Sequence, residues 1–199
     1  MNLKRLFDLA IVIPSLILFV PLFFFIAIVI KLETKGPVFF RQERMGKGGK
    51  PFYIFKFRTM VVDAEARGLQ LSISSDNRIT RNGAVLRKHK LDELPQLINV
   101  FLGEMSLVGP RPEVPKFVAY YPLGIKDKVL SVQPGITDLA SIEFSNENEI
   151  LEKVDDVEKE YIEQILPIKL KYYLEYAEKH SLLGDFKIIV MTIIKILRH

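Results

Sequence analysis

The stretch Val85–Pro112, VLRKHKLDELPQLINVFLGEMSLVGPRP, holds the residues best suited to chemistry. Asp92 and Glu93 are adjacent acids, and Pro95 follows closely. Proline is favoured in a first helical turn, where its missing N–H costs nothing. That spacing puts Asp92 at or near a helix N-cap, where the dipole and free N–H groups stabilise an ionised carboxylate. Arg87, Lys88 and Lys90 lie just upstream. A carboxylate among cations can hold a magnesium ion and a phosphorylated substrate, because Mg²⁺ takes one or two carboxylates plus substrate phosphates. A carboxylate can also attack phosphorus and form an acyl phosphate. Spacing alone leaves a plainer role open, since capping by itself accounts for many acids in a first turn.

The N-terminal segment sets where such chemistry would take place. From Leu9 to Ile30 the chain reads LAIVIPSLILFVPLFFFIAIVI, without a charge. A membrane helix needs about 20 apolar residues to cross ~30 Å of hydrocarbon. Pro14 and Pro21 sit inside the run, and each tends to kink or break a helix. Lys4 and Arg5 precede it, while Lys31, Lys35, Arg41, Arg44, Lys47 and Lys50 follow. Lys and Arg stay on the cytoplasmic side, so two basic flanks predict a re-entrant helix-break-helix that returns to the same face. We therefore expect a membrane hairpin over 1–34 and a cytoplasmic catalytic domain over 35–199. A cleaved signal peptide fits poorly, because no small-residue cleavage site follows and the apolar run is too long. An ordinary single span that tolerates its prolines is the other reading.

Composition narrows the rest. Hydrophobic residues make up 49% of the chain and the mean hydropathy is +0.18, high beside 26% charged residues. The net charge is +4. Between residues 31 and 60, Lys56, Arg58 and the six basic residues after the apolar run face only Glu33 and Glu43. Such a strip suits anionic headgroups or a polyphosphate substrate. Nucleic acid is not expected, because the strip is short and no recognition motif accompanies it. There is no cysteine, hence no disulfide and no thiolate metal site. His89, His180 and His199 lack zinc spacing. The acidic run over 143–163 reads as a solvated face, and Tyr161, Tyr172, Tyr173 and Tyr176 as core or interfacial rings.

The fold class expected is mostly α with a small β-hairpin (α+β), with amphipathic helices at the membrane interface. Val38–Gln42 and Phe52–Arg58 read as strands around the turn Gly46-Lys47-Gly48-Gly49, which lacks the GK[ST] ending of a P-loop. Helices are expected over Met60–Arg67, Asn82–His89, Pro95–Leu102 (ended by Gly103), Glu113–Tyr121 and Asp185–Arg198. One or two more belong to Asn148–His180, with a break near Pro167. Leu69–Arg78 reads as a loop and Val132–Ile142 as irregular. The last helix is apolar over much of its circumference, more than one core face needs.

LDELPQLINVFLGEMSLVGPRP resembles the signature of the bacterial sugar transferase family of monotopic phosphoglycosyl transferases. QERMG at Gln42–Gly46, FKFRTM at Phe55–Met60, PGIT at Pro134–Thr137 and the ending SLLGDFKIIVMTIIKIL are similar to further family elements, in order along nearly the whole chain. The resemblance implies transfer of a phosphosugar from a UDP-sugar to polyprenyl (undecaprenyl) phosphate with release of UMP, the first membrane step of glycoconjugate assembly. It implies Asp92 as nucleophile, carrying a phosphosugar–aspartyl intermediate, with Asp92 and Glu93 at Mg²⁺. Lys56, Arg58, Arg87 and Arg111 are then the phosphate or nucleotide ligands, with Lys56 and Arg58 equally suited to pairing with internal acids. Gly109 and Pro110 would shape the loop presenting Arg111, and Gln42 and Arg44 would build the fold. Lys4, Arg5, Asp8, Pro14 and Pro21 belong to the membrane re-entry: the cations would meet headgroup phosphates, and Asp8 would pair with them or cap the start. The implied location is the cytoplasmic face of a bacterial inner membrane, with membrane lipid as a partner. Homo-oligomerisation, the sugar and the pathway stay open.

Two departures from the family pattern stand out. Val20-Pro21 replaces the usual Ser-Pro at the break, and Asp138-Leu139-Ala140-Ser141 follows PGIT in place of Gly-Leu and a Gln. A membrane-anchored adaptor with a basic cytoplasmic face is the alternative function; it would not require both acids of the pair and would release no UMP.

Overall fold

A computed structural model describes residues 3–62, 64 and 76–198. The described chain is mostly helical. It begins with α1 (Leu3–Glu33), the one described helix long and apolar enough to cross a membrane. The hairpin β1 (Phe39–Met45) and β2 (Pro51–Phe57) follows. Then come α2 (Arg81–Lys88), α3 (Gln96–Leu102), β3 (Ser106–Val108), α4 (Pro115–Val118), α5 (Leu123–Val129) and β4 (Gly135–Thr137). The C-terminal part holds α6 (Leu139–Glu143), α7 (Glu147–Leu151), α8 (Val157–Glu160), a π-helical turn (Tyr161–Ile165), α9 (Leu166–Lys179) and α10 (Leu182–Leu197).

The helix-break-helix is the first point of difference. Both prolines lie inside one continuous α1. Each removes only a single donor, and the Ser15 hydroxyl donates to the Ile11 carbonyl at 2.8 Å, a back-bond that bends helices without ending them. Both ends of α1 are tied to the rest of the protein. At the start, Lys4 Nζ lies 2.6 Å from Asp185 Oδ2, and the Arg5 guanidinium donates to the carbonyls of Val100 and Phe101. The buried Asp8 carboxylate accepts from Ser106 Oγ at 2.8 Å and the Leu107 N–H at 3.2 Å. At the far end Ile26 and Ile30 are buried with Phe57 and Leu86, and the Glu33 carboxylate accepts the Asn82 N–H at 3.2 Å. Between the ends, Ile17, Leu18, Val20, Phe24 and Phe25 stand exposed. Lys4 and Arg5 are thus engaged within the protein, where the sequence suggested headgroups.

The hairpin forms as the Gly-rich turn predicts, with Gly48 and Gly49 at positive φ. Phe52 and Ile54 of β2 turn inward onto Leu97 and Val100 of α3, joined by Val12 of α1, Met105, Val108 and Ile188. A second core gathers α4, α5, α7, the π-helical turn and α9 around Phe117, Tyr161 and Tyr173. Tyr161 and Tyr173 are core rings, and the Tyr176 hydroxyl lies between two acceptors, 2.8 Å from the Val108 carbonyl and 2.9 Å from Asp185 Oδ1.

Several boundaries differ from expectation. The helix predicted over Glu113–Tyr121 contracts to α4, because Pro115 holds Val114 extended; single turns carry the chain on to Tyr121. The region read as irregular, Val132–Ile142, contains β4, which pairs in parallel with β3, and α6. Strands of three residues are too short to alternate legibly. At their junction the backbones touch: a Cβ on Gly135 would lie 2.1 Å from the Gly109 nitrogen. Asp138 is the N-cap of α6, its carboxylate accepting the Ser141 N–H at 3.0 Å, so the departure after PGIT is a helix-capping sequence. Asn148–His180 is cut into shorter pieces than expected, and α5 lies where no helix was predicted. The predicted helix Met60–Arg67, the loop Leu69–Arg78 and His199 lie wholly or largely outside the described residues; Met60 bridges to Ile79.

Candidate active site

Helix α2 opens on Thr80, whose hydroxyl accepts the Gly83 N–H at 3.0 Å, and runs to Lys88. Lys90 then takes a left-handed backbone, φ 55°, the one positive φ outside glycine among the described residues. That conformation costs an ordinary side chain energy and reverses the chain sharply. It delivers Leu91-Asp92-Glu93 as a single 3₁₀ turn ahead of α3. The N-cap of α3 is Pro95, and no side chain caps either element. Capping is therefore not the role of Asp92, contrary to the plainer reading of the sequence.

The two acids have opposite surroundings. Glu93 is gripped from two sides: Lys56 Nζ of β2 is 2.8 Å from Oε1, and the Arg111 guanidinium forks onto both oxygens, with Nη1 3.2 Å from Oε2. Burial alone would raise the Glu93 pKa, but Arg111 and Lys56 outweigh it and hold the carboxyl well below its usual range. The same pair drives Arg111 well above its ordinary value, while burial pulls Lys56 down despite Glu93. Asp92 is only 8% exposed, and among the described residues no group hydrogen-bonds or ion-pairs with its carboxylate. Burial first, and then the charge of Glu93, raise its pKa; Lys56, Arg87 and Lys90 pull the other way.

The cations are placed by the fold. Arg111 sits in the loop after β3, where Gly109 N–H donates to Thr137 O at 3.1 Å and Gly135 N–H to Pro110 O at 2.9 Å. The other side of that loop is held by the hairpin: Met45 N–H donates to Glu113 O at 2.9 Å and Arg44 Nη1 to Pro112 O at 3.0 Å. Gln42 accepts from Arg44 at 2.6 Å, so both of these residues serve the fold. Arg87 faces Asp92 from the last turn of α2, its Nε 2.8 Å from Thr59 Oγ1. Lys56, Arg87 and Arg111 thus converge on the acid pair. Arg58 does not: it is buried with its guanidinium on the carbonyls of Lys35 at 2.7 Å and Thr34 at 3.0 Å.

No described group of three or more His, Cys, Asp or Glu residues is arranged to chelate a metal. The acid pair nevertheless has the oxygen donors that Mg²⁺ prefers, one or two carboxylates with the remainder from substrate phosphates and water. The unpartnered Asp92 oxygens suit a cation, and Glu93 lies beside them.

This arrangement occurs in a chain that matches the description "Bacterial sugar transferase" over residues 1–199. The chain belongs to the bacterial sugar transferase family. It is 38% identical over 198 residues (98% of this chain, 38% of the relative) to a UDP-glucose:undecaprenyl-phosphate glucose-1-phosphate transferase of Xanthomonas campestris pv. campestris. It is 38% identical over 197 residues (98% of this chain, 44% of the relative) to a UDP-N-acetylgalactosamine-undecaprenyl-phosphate N-acetylgalactosaminephosphotransferase of Aeromonas hydrophila. A Caulobacter vibrioides UDP-glucose:undecaprenyl-phosphate glucose-1-phosphate transferase is 36% identical over 193 residues (96% of this chain, 68% of the relative). The chain spans less than half the length of the first two.

The family member also holds a buried polar network that sequence reading did not assemble. Behind Arg111, Glu113 accepts from the Tyr161 hydroxyl at 2.5 Å and pairs with Lys169 at 3.5 Å; Lys169 also meets Glu147 at 3.0 Å. Lys169 and Arg44 keep Glu113 ionised against burial, Lys169 having the larger effect. Glu147 accordingly leaves the solvated acidic face assigned to it. Nothing in the sequence marked this network; Lys169 proves to lie on the buried side of α9.

Proposed function

We propose that the chain transfers a phosphosugar from a UDP-sugar to undecaprenyl phosphate and releases UMP, by a covalent phosphosugar–aspartyl intermediate. The observation that carries this reading is the unpartnered, buried Asp92 carboxylate beside three convergent cations. An Asp92 oxygen attacks the phosphorus bearing the sugar, and the bond from that phosphorus to the UMP oxygen breaks. An oxygen of the polyprenyl phosphate then attacks the same phosphorus, forms the lipid-linked diphosphate and returns Asp92 as a carboxylate. Burial makes Asp92 a more basic and hence better nucleophile than an exposed acid. Arg87, with Arg111 and Lys56 beside it on Glu93, puts positive charge where the donor's phosphate oxygens would lie. Glu93 and Asp92 would hold Mg²⁺, which supplies charge neutralisation as the diphosphate bond breaks. Arg111 and Lys56 keep Glu93 ionised for that role.

The location follows from α1. Thirty-one residues at about 1.5 Å each make about 46 Å of helix, enough to span. Yet Lys4, Arg5 and Asp8 at one end and Ile30 and Glu33 at the other are bound to the same body. A span would part those ends across the bilayer, whereas a bent, re-entrant helix keeps both on one side. The basic flanks support the cytoplasm as that side. Both acid and polyprenyl phosphate then lie at the interface of a bacterial inner membrane, and the reaction begins assembly of a lipid-linked glycan.

The test is UMP release from protein in detergent with Mg²⁺, undecaprenyl phosphate and a panel of UDP-sugars, beside Asp92→Asn. Release with a donor, lost on the substitution and on adding EDTA, is expected. An Asp92→Asn variant as active as wild type refutes the covalent step.

A further inference from the structure

One face of the hairpin is unlike a surface meant for water. Its outer residues form an unbroken series of ring contacts that begins on α1. Phe23 of α1 meets Phe57 edge-on at 5.2 Å between centroids. Phe57 stacks on its cross-strand partner Phe39 at 5.5 Å, and Phe39 meets Phe55 edge-on at 6.3 Å. The Arg41 guanidinium then lies over both Phe55, at 4.9 Å, and Tyr53, at 5.2 Å. The series leaves the protein interior as it goes: Phe57 is buried, while Phe39, Arg41 and Tyr53 are exposed, Tyr53 by 48%. The opposite face of the same strands carries Phe52 and Ile54 into the core. An antiparallel hairpin with one packed face ordinarily turns polar residues outward; this one turns rings outward as well as inward.

We propose that the outer face of the hairpin lies in the lipid headgroup region, as a second membrane contact beside α1. The assignment rests on the membrane reading of α1, and it adds an element of the catalytic domain to the interface. Three features select a lipid surface. The ring series ties the face to α1 through buried Phe57 and partly buried Phe23, so the hairpin is packed directly on the helix that meets the membrane. Tyr and Arg combine an apolar body with a polar end, the combination favoured at headgroup depth, and the Phe rings add apolar area between them. The charges nearby are mainly positive: Arg41 on the face and Lys47 and Lys50 at the exposed turn, against Glu43 opposite Tyr53. That balance favours anionic headgroups. Lys56 lies on the same strand as this face, so docking the hairpin would also fix the height of the acid pair above the bilayer.

The chain has no tryptophan, so single reporters can be introduced cleanly. Tyr53→Trp and Phe24→Trp are reconstituted separately, as full chains, into phosphatidylethanolamine/phosphatidylglycerol vesicles with brominated acyl chains. The hairpin reporter, Tyr53→Trp, is expected to emit to the blue and to lose emission most to bromines near the headgroup. Adding Arg41→Gln should lessen that loss. The helix reporter, Phe24→Trp, is more deeply placed and reports on α1 alone. Quenching of the helix reporter without quenching of the hairpin reporter overturns the hairpin contact and leaves the membrane reading standing. If neither is quenched, the membrane reading fails and the contact with it. A hairpin reporter shielded from aqueous iodide yet untouched by brominated lipid means that protein, such as a second copy of the chain, covers the face, and also overturns the assignment.

Discussion

Replacing Arg111 by methionine should destabilise the protein more than replacing Arg111 and Glu93 together by Met and Gln. Arg111 makes the forked contact to Glu93, and only Lys56, at 2.8 Å, would remain. Both partners are largely shielded, with side-chain exposures of 26% for Arg111 and 18% for Glu93. Breaking a buried ion pair by removing one partner costs about 3–5 kcal/mol, because the other charge stays behind uncompensated. Lys56 retains part of that compensation, so the expected loss for Arg111→Met is roughly 2–4 kcal/mol. In a chain of this size about 1 kcal/mol corresponds to ~2–4 °C in Tm, which predicts a fall that scanning calorimetry resolves easily. In the double variant no stranded carboxylate remains, and Lys56 still has Asp92 nearby. Replacing both members of a buried pair by groups of similar volume is often close to neutral. The double variant should therefore regain Tm relative to Arg111→Met, with a coupling energy of about 0.5–3 kcal/mol. Losses that simply add would refute the view that Arg111 and Glu93 act as a buried unit. Neither variant should release UMP at the wild-type rate.

The remaining predictions concern pH, packing and the displaced arginine. The folded state raises the Asp92 pKa, so its ionised form costs stability at every pH above the unfolded value of about 3.9. Asp92→Asn should raise Tm at pH 7 while abolishing UMP release, and the Tm advantage should vanish below the unfolded value; a lower Tm at neutral pH would count against the raised pKa. Glu93 and Glu113 have the opposite sign: their folded pKa values are depressed, so the stability they contribute is present above about pH 4.3 and is lost as pH falls through the folded values. Gly135→Ala forces a Cβ to within 2.1 Å of the Gly109 nitrogen; overpacking of that kind costs about 1–3 kcal/mol, and displacement of the Arg111 loop should raise the KM for the UDP-sugar. Arg58→Met removes the clamp on the Thr34 and Lys35 carbonyls, so it should lower Tm and leave that KM unchanged, which separates its role from that of Lys56.

Arg58 also illustrates where a sequence stops being informative. Lys56 and Arg58 are two apart, and on a continuing strand they would share a face. Strand β2 ends at Phe57, so Arg58 departs toward the α1 linker while Lys56 stays on the acid pair. The hairpin was legible because glycine supplies the turn, and the end of α3 because Gly103 takes a left-handed φ of 87°. Asp138 and Ser141 carried a readable capping spacing that resemblance to a family pattern obscured. The Glu113–Lys169 pair could not be read at all, since 56 residues separate its members and only tertiary packing brings them together. Nor could the prolines of α1 be settled from their own positions. Whether a helix breaks at Pro21 depends on what holds its ends, and here Asp8 and Glu33, near opposite ends, both bind the domain that follows.

The acid pair is where structure adds most. Adjacent in sequence, Asp92 and Glu93 are interchangeable to any argument from composition or spacing. Their surroundings separate them. Glu93 receives Arg111 and Lys56 and is fixed as a carboxylate; Asp92 receives burial and a like charge, and its pKa moves the other way. Neighbouring groups driven apart in this manner take different parts in a reaction. A carboxylate held by two cations is a poor nucleophile and a good fixed charge. A buried carboxylate without a partner is the reverse, because a substrate phosphorus or a cation can relieve its isolation. The contrast in surroundings between the two acids therefore depends on the left-handed turn at Lys90, which aims one toward Lys56 and Arg111 and leaves the other without a hydrogen-bonding partner among the described residues.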